Sequence, residues 1–175
     1  MIQKLTLRQD MRRRWYAYLF LALIWTLVSI RIFVDPTPRL PILYNATPSL
    51  PYTFAYVRYG QKTFNRGDFI IYAFDGGAQK YFPGLRRQPF FKIVRGVPGD
   101  VVSVRDRDVF VNGKFVGMAE QYGPKRLVLD PIEPGVIPPG RFFVQGTGRG
   151  SFDSRYKLSG LVRSDQILAG VVPLF

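Results

Sequence analysis

What the chain lacks limits the chemistry it could perform. Its 175 residues include no His and no Cys. That removes imidazole acid/base catalysis, His- or thiolate-held metal sites, thiol nucleophiles and disulfides. Ser, Thr, Lys, Tyr and carboxylates remain, and three segments concentrate them. In Asn45-Ala-Thr-Pro-Ser-Leu-Pro51, Ser49 stands between two prolines that fix the backbone and disfavour helix on both sides. A rigid turn presenting a hydroxyl suits a nucleophile, although TPSLP by itself is far more often an ordinary linker. In Phe90-Phe-Lys-Ile-Val-Arg-Gly-Val-Pro-Gly-Asp100, Lys92 sits among apolar neighbours ahead of a tight turn. Desolvation disfavours an ammonium ion, so such a lysine becomes a usable base. A strand lysine facing solvent is the plainer reading of that segment alone. Gly146-Thr-Gly-Arg-Gly-Ser-Phe-Asp-Ser-Arg-Tyr156 is glycine-rich, then dense in hydroxyls, with an Asp153/Arg155 pair. It lacks the GxxxxGK[ST] pattern of a phosphate loop and reads equally as a loop of turn residues.

The elements that must position these groups follow from composition and patterning. At 47% hydrophobic and 21% charged residues, the chain has material for one packed domain plus a short extra element. Residues 15–34, WYAYLFLALIWTLVSIRIFV, are apolar except for Thr26, Ser29 and Arg31. Such a run is predicted to be a transmembrane helix, since about 20 apolar residues are needed to cross a bilayer. Arg31 lies near its distal end, where its stem can snorkel, and Trp15, Tyr16 and Tyr18 suit the opposite interface. Arg12, Arg13 and Arg14 precede the run with only Asp10 against them, which places residues 1–14 in the cytoplasm and everything after Asp35 outside. No small-x-small cleavage site follows, so the helix reads as an uncleaved anchor in preference to a cleaved signal peptide.

Residues 35–44, with Pro36, Pro38 and Pro41, read as a stiff spacer. Residues 45–175 read as the catalytic domain, mainly β. Strands are expected at 69–74, 101–105 and 141–144, with a hairpin around Asn112-Gly113. Residues 130–140, with four prolines, read as a surface loop. The net charge of +13 is scattered, without a basic helix or nucleic-acid motif, so no nucleic-acid partner is expected.

In this order, behind one anchor helix, the segments resemble the S26 family of type I signal peptidases. Ser49 with Pro51 looks like the family's nucleophile box, and Lys92, four residues before Gly96, looks like its catalytic lysine. SFDSRY matches the last family box, in which Ser151 would contact the lysine while Asp153 and Arg155 hold the loop. Thr47 occupies the position whose hydroxyl completes the oxyanion hole with the Ser49 backbone N–H. The resemblance implies a signal-peptidase/LexA-like β fold, a Ser/Lys serine peptidase on the periplasmic side of a bacterial inner membrane, and an exported precursor as substrate. It implies no cofactor and no metal. Leu50 replaces the usual Met, GTGRGS stands where GDNRDNS is usual, and two extra residues precede Gly160. These departures resemble the TraF-like conjugative-transfer peptidases, which process pilin precursors, although Thr53 stands where their boxes usually carry Gly. Leu50, Tyr52 and Phe54 are expected to wall pockets for small substrate side chains.

Two readings of other kinds stand beside this one. A LexA-like self-cleaving regulator shares the dyad but needs a DNA-binding arm and a cytoplasmic location. A non-catalytic anchored envelope scaffold would keep the fold without the dyad.

Overall fold

Short runs of β-branched and aromatic residues, cut by Gly, Pro and Asp, become strands after residue 41, and the long apolar run before it becomes helix. The computed structural model describes residues 7–33, 41–45, 47, 49–148 and 150–174, in two units, Met1–Thr37 and Pro38–Phe175. In the first, α1 spans Leu7–Arg13 and α2 spans Trp15–Phe33. Asp10 ties them together: its carbonyl accepts the Arg14 N–H at 2.8 Å and its carboxylate accepts the Tyr18 hydroxyl at 2.8 Å.

Leu19, Phe20, Leu21, Leu23, Ile24 and Trp25 are all exposed. Consecutive positions point around the whole cylinder, so α2 has no single apolar stripe reserved for a core. Thr26 and Ser29 return their hydroxyls to the carbonyls of Ala22 and Trp25, each at 2.8 Å. The 19 residues of α2 rise about 28 Å, just short of a hydrocarbon layer about 30 Å thick. Among the described residues, no helix is long and apolar enough to cross a membrane. Val34, Asp35, Pro36, Pro38, Pro48, Arg149 and the Arg31 side chain lie outside the described residues.

In the second unit, β1 (Ile42–Tyr44), β2 (Phe54–Arg58), β3 (Phe69–Ala73), β4 (Pro89–Gly96), β9 (Arg141–Gln145), β10 (Val162–Arg163) and β11 (Ile167–Pro173) form a seven-stranded sheet. Its order is β1-β2-β11-β3-β4-β9-β10. A second sheet has the order β7-β6-β5-β8, built from β5 (Val101–Arg105), β6 (Asp108–Val111), β7 (Lys114–Met118) and β8 (Gly135–Val136). The hairpin joining β6 and β7 turns on Asn112 and Gly113, at φ 50° and 74°, the left-handed pair that a two-residue connection requires. The architecture is mainly β, as the patterning predicts.

Two stretches differ from the sequence reading. Residues 42–44, counted with the spacer, pair with β2 as a strand of the domain. Residues 130–140 are not wholly a surface loop, because Gly135–Val136 pairs with β5 while Ile132 and Ile137 are buried. Both isoleucines join a core with Val102, Val109, Val111 and Phe143 under the smaller sheet, so the prolines only delimit a short edge strand.

The turn after β4 ties the two sheets together. Gly96 approaches Ile137 and Phe143 so closely that a Cβ would fall 2.6 and 3.1 Å from them. Buried Asp100 accepts the Val97 N–H at 2.9 Å, the Asn112 amide at 2.8 Å and a forked pair from Arg66. Hydrogen bonding to Arg66 is the largest of the effects that hold its carboxyl at about 2. The β4 strand thereby enters the large sheet in a fixed register, with Lys92 opposite Ile70 of β3.

Candidate active site

Strand alternation decides where Lys92 points. In β4, Phe91 and Ile93 pack into one apolar cluster with Leu50, Ile71 and Val171, while Phe90 and Val94 face a second with Tyr72, Phe74 and Val144. Lys92 shares the parity of Phe90 and Val94. Both faces of the sheet are covered, so the solvent-facing alternative fails: Lys92 is only 4% exposed. Its Nζ lies 5.5 Å from the centroid of the Phe90 ring. Among the described residues no hydrogen bond or ion pair to that amine is found. Burial pushes its pKa down from 10.5 to about 8, with the Asp153 carboxylate opposing the shift and the Arg155 guanidinium adding to it.

Ser49 is presented by a turn that its own neighbours hold. Leu50 is buried in the core, and the Ser49 carbonyl accepts the Gly148 N–H at 3.1 Å. Asn45 spans the turn. Its side-chain amide donates to the Tyr52 carbonyl at 2.9 Å and the Leu50 carbonyl at 3.3 Å, and its backbone N–H donates to Thr53 at 2.8 Å. The amide oxygen accepts the Thr47 N–H at 3.2 Å and the Thr47 hydroxyl at 3.0 Å. Thr47 Oγ1 in turn lies 2.9 Å from Ser49 Oγ.

The glycine-rich loop closes the third side. Asp153, fully buried, takes a forked pair from Arg155 at 2.8 and 2.9 Å and accepts the Gly146 N–H at 3.0 Å. Arg155 also donates to the carbonyls of Ser151 and Met118, at 2.9 and 3.0 Å. This pair is structural: it joins the end of β9 to the loop carrying Ser151. Ser151 Oγ is buried and, among the described residues, has no hydrogen-bond partner. The sequence reading gave Ser151 the task of orienting Lys92; no bond between them is present in this structure.

Asn45, Thr47, Ser49, Lys92 and Ser151 line one cleft of about 650 Å3. Its apolar walls come from Leu43, Tyr44, Ile71, Leu85, Phe90 and Phe152. The expected wall residues Leu50, Tyr52 and Phe54 do not line it, because Leu50 and Tyr52 turn into the core beneath and Phe54 packs on Tyr44 with ring centroids 5.5 Å apart. Asn45 and Gly146 received no role from sequence. Their spacing from Ser49 and Ser151 was visible, but their contacts depend on turn geometry. Among the described residues, no group of three or more His, Cys, Asp or Glu could hold a metal ion. A buried hydroxyl and a buried amine of depressed pKa that line one cleft with apolar walls are the groups acyl transfer requires.

Comparison with known proteins identifies the family. The family model described as signal peptidase, peptidase S26, matches residues 12–175. Signal peptidase I of Bacillus licheniformis is 29% identical over 181 residues, covering 94% of this chain and 89% of its own. Signal peptidase I T of Bacillus subtilis (strain 168) is 32% identical over 113 residues, covering 59% of this chain and 52% of its own. A solved signal peptidase I from Enterococcus faecalis V583 aligns at 23% identity with a TM-score of 0.38, covering 65% of this chain and 98% of its own. The chain belongs to the peptidase S26 family of signal peptidases and is a serine peptidase.

Proposed function

We propose that Ser49 is the nucleophile and Lys92 the general base of a membrane-anchored peptidase that cleaves exported precursor proteins. The observation that carries this reading is the burial of Lys92, which brings its amine to about 8, beside a cleft that also holds Ser49. Neutral Lys92 takes the Ser49 proton as Oγ attacks the scissile carbonyl. The ammonium then protonates the leaving amine, and water opens the acyl-enzyme by the same route. The Ser49 N–H and the Thr47 hydroxyl serve the developing oxyanion, at about 3 to 4 kcal/mol per donor in comparable sites. Ser151, with its free Oγ, orients the lysine during the reaction.

The anchor is α2 with the residues around it, residues 15–34. Its exposed apolar side chains on every side and its back-bonded Thr26 and Ser29 hydroxyls suit lipid, where polar groups must be satisfied within the helix. Arg12, Arg13 and Arg14 support a cytoplasmic N-terminus, with residues 45–175 on the periplasmic side of the inner membrane. The departures at Leu50 and in GTGRGS favour a conjugative pilin precursor as the substrate. General signal-peptide removal is supported equally by the relatives, both of them signal peptidases I.

Mass spectrometry of a co-expressed candidate pilin and of an exported precursor, each with the wild-type chain and with Ser49→Ala, tests the reading. Trimming by the wild type alone supports it; trimming by Ser49→Ala overturns Ser49 as nucleophile. Loss of one further water mass from the trimmed pilin identifies ring closure, in which an amine replaces water as acceptor.

A further inference from the structure

The hydrogen-bond directions around Ser49 can be deduced from the groups that fix them. Asn45 Nδ2 faces two carbonyl oxygens, of Leu50 and Tyr52, so the amide cannot be flipped without setting oxygen against oxygen. Its Oδ1 must therefore face Thr47, where it already accepts the Thr47 backbone N–H. An oxygen so placed can only accept, so the Thr47 hydroxyl hydrogen goes to Asn45 at 3.0 Å. The contact of 2.9 Å between Thr47 Oγ1 and Ser49 Oγ then has one hydrogen left to use, that of Ser49.

We infer that Asn45 is a positioning residue that sets the polarity of this hydroxyl chain and thereby readies Ser49. The inference rests on the reading of Ser49 as nucleophile. With Thr47's hydrogen drawn to Asn45, the Ser49 oxygen receives no hydrogen bond from Thr47 and keeps its lone pairs for the carbonyl carbon, while its own hydrogen rests on Thr47 and turns to Lys92 as the proton leaves. Were the chain reversed, Thr47 would donate to Ser49 Oγ and blunt the nucleophile. The same bond holds the Thr47 hydroxyl beside the attacking atom, one rotation of its hydrogen away from a developing oxyanion. Among the described residues Asn45 makes no hydrogen bond to Ser49 Oγ itself and reaches it through Thr47.

The test uses the full chain in detergent and a precursor carrying an amino-terminal signal peptide. Kinetics are read on the alkaline plateau, because a carboxylate introduced into the cleft raises the pKa of Lys92. Asn45→Ala is expected to lower kcat about tenfold or more with KM within about twofold. Asn45→Asp keeps the acceptor toward Thr47 but sets its second oxygen against the Leu50 and Tyr52 carbonyls. It is therefore expected to lose stability while losing less kcat per folded enzyme than Asn45→Ala. In a Thr47→Val background, Asn45→Ala is expected to cost less than about twofold, because the hydroxyl it steers is gone.

An Asn45→Ala enzyme with unchanged kcat, an Asn45→Asp enzyme as slow as Asn45→Ala, or the same loss with and without the Thr47 hydroxyl overturns the inference. If Asn45→Ala fails to fold, kcat of the folded Asn45→Asp enzyme decides, read beside Thr47→Val: a loss smaller than that of Thr47→Val supports the inference and an equal or larger loss overturns it. Failure of the wild type to cut the precursor, or cutting by Ser49→Ala, overturns the underlying reading of the site and is recognised separately.

Discussion

Lys92 and Phe90 lie two residues apart on the same face of β4, and the lysine amine rests 5.5 Å from the centre of the phenylalanine ring. The ring helps keep water from the amine, and a face of π density compensates only part of the lost hydration of an ammonium. The pKa of about 8 follows mainly from that dry setting. Activity limited by the acyl-transfer step is therefore expected to be low at pH 6, to rise through pH 8 and to level off above it. A flat kcat/KM from pH 6 to 9 would exclude a titrating lysine base.

The same burial has a thermodynamic consequence of opposite sign for stability. Below about pH 8 the ammonium is present in both folded and unfolded chains, and the folded chain bears its desolvation in full. Between about 8 and 10.5 the folded chain has released a proton that the unfolded chain still holds, so stability rises with pH across that window. Lys92→Met, which replaces the ammonium with an apolar chain of similar length, is expected to abolish cleavage yet stabilise the domain at pH 7. The gain is up to about 3 kcal/mol and shrinks toward pH 10.5. Urea unfolding of both proteins at pH 7 and pH 10 measures it, and a less stable Lys92→Met at pH 7 would contradict it.

How far the sequence disclosed this site differs residue by residue. The Asn112-Gly113 hairpin and the turn ending at Asp100 were legible because local dihedral preferences decide them. The strands β1, β2 and β11 were not identified, since β11 pairs with β2 and β3 from about a hundred residues away and no local signal encodes that pairing. Lys92 was legible as a candidate by type and apolar context. Its burial was not, because a strand covered on both faces lacks the alternation that reveals an inner side. Asn45 stood in view as a turn residue, but its task emerges only once Leu50 and Tyr52 bring their carbonyls to its amide.

Ser151 separates stability from chemistry. Its Oγ is buried without a partner among the described residues, a position that costs free energy and that Ser151→Ala relieves. That variant is expected to unfold at the same denaturant concentration as wild type or slightly above it, while kcat falls by about tenfold or more if the hydroxyl engages Lys92 during turnover. Full activity in Ser151→Ala would remove Ser151 from the mechanism.

The Asp153/Arg155 pair behaves in the reverse way. Arg155→Met leaves the fully buried Asp153 carboxylate without its forked partner and frees the Ser151 and Met118 carbonyls. The expected loss of stability is about 3 to 5 kcal/mol, read as an earlier urea midpoint. Asp153→Asn combined with Arg155→Met is expected to recover part of it, since no unpaired charge then remains in the core.

Gly146 gives the sharpest steric prediction. The strand β9 ends one residue earlier, and the Gly146 N–H is already committed to Asp153. A Cβ at this position would fall 2.6 Å from the Ser49 carbonyl oxygen and 2.9 Å from Ser151 Cβ. One is backbone and the other the root of a buried side chain, so neither yields by a rotamer change. Gly146→Ala must therefore move the Ser49 turn away from the loop by a sizeable fraction of an ångström. Displacement on that scale is expected to reduce kcat about a hundredfold and to cost about 1 to 3 kcal/mol of stability. Gly84→Ala, where an added Cβ meets nothing within 4 Å, provides the matched control and is expected to retain activity. Wild-type kcat in Gly146→Ala would show that the turn and the loop are not held against each other during catalysis.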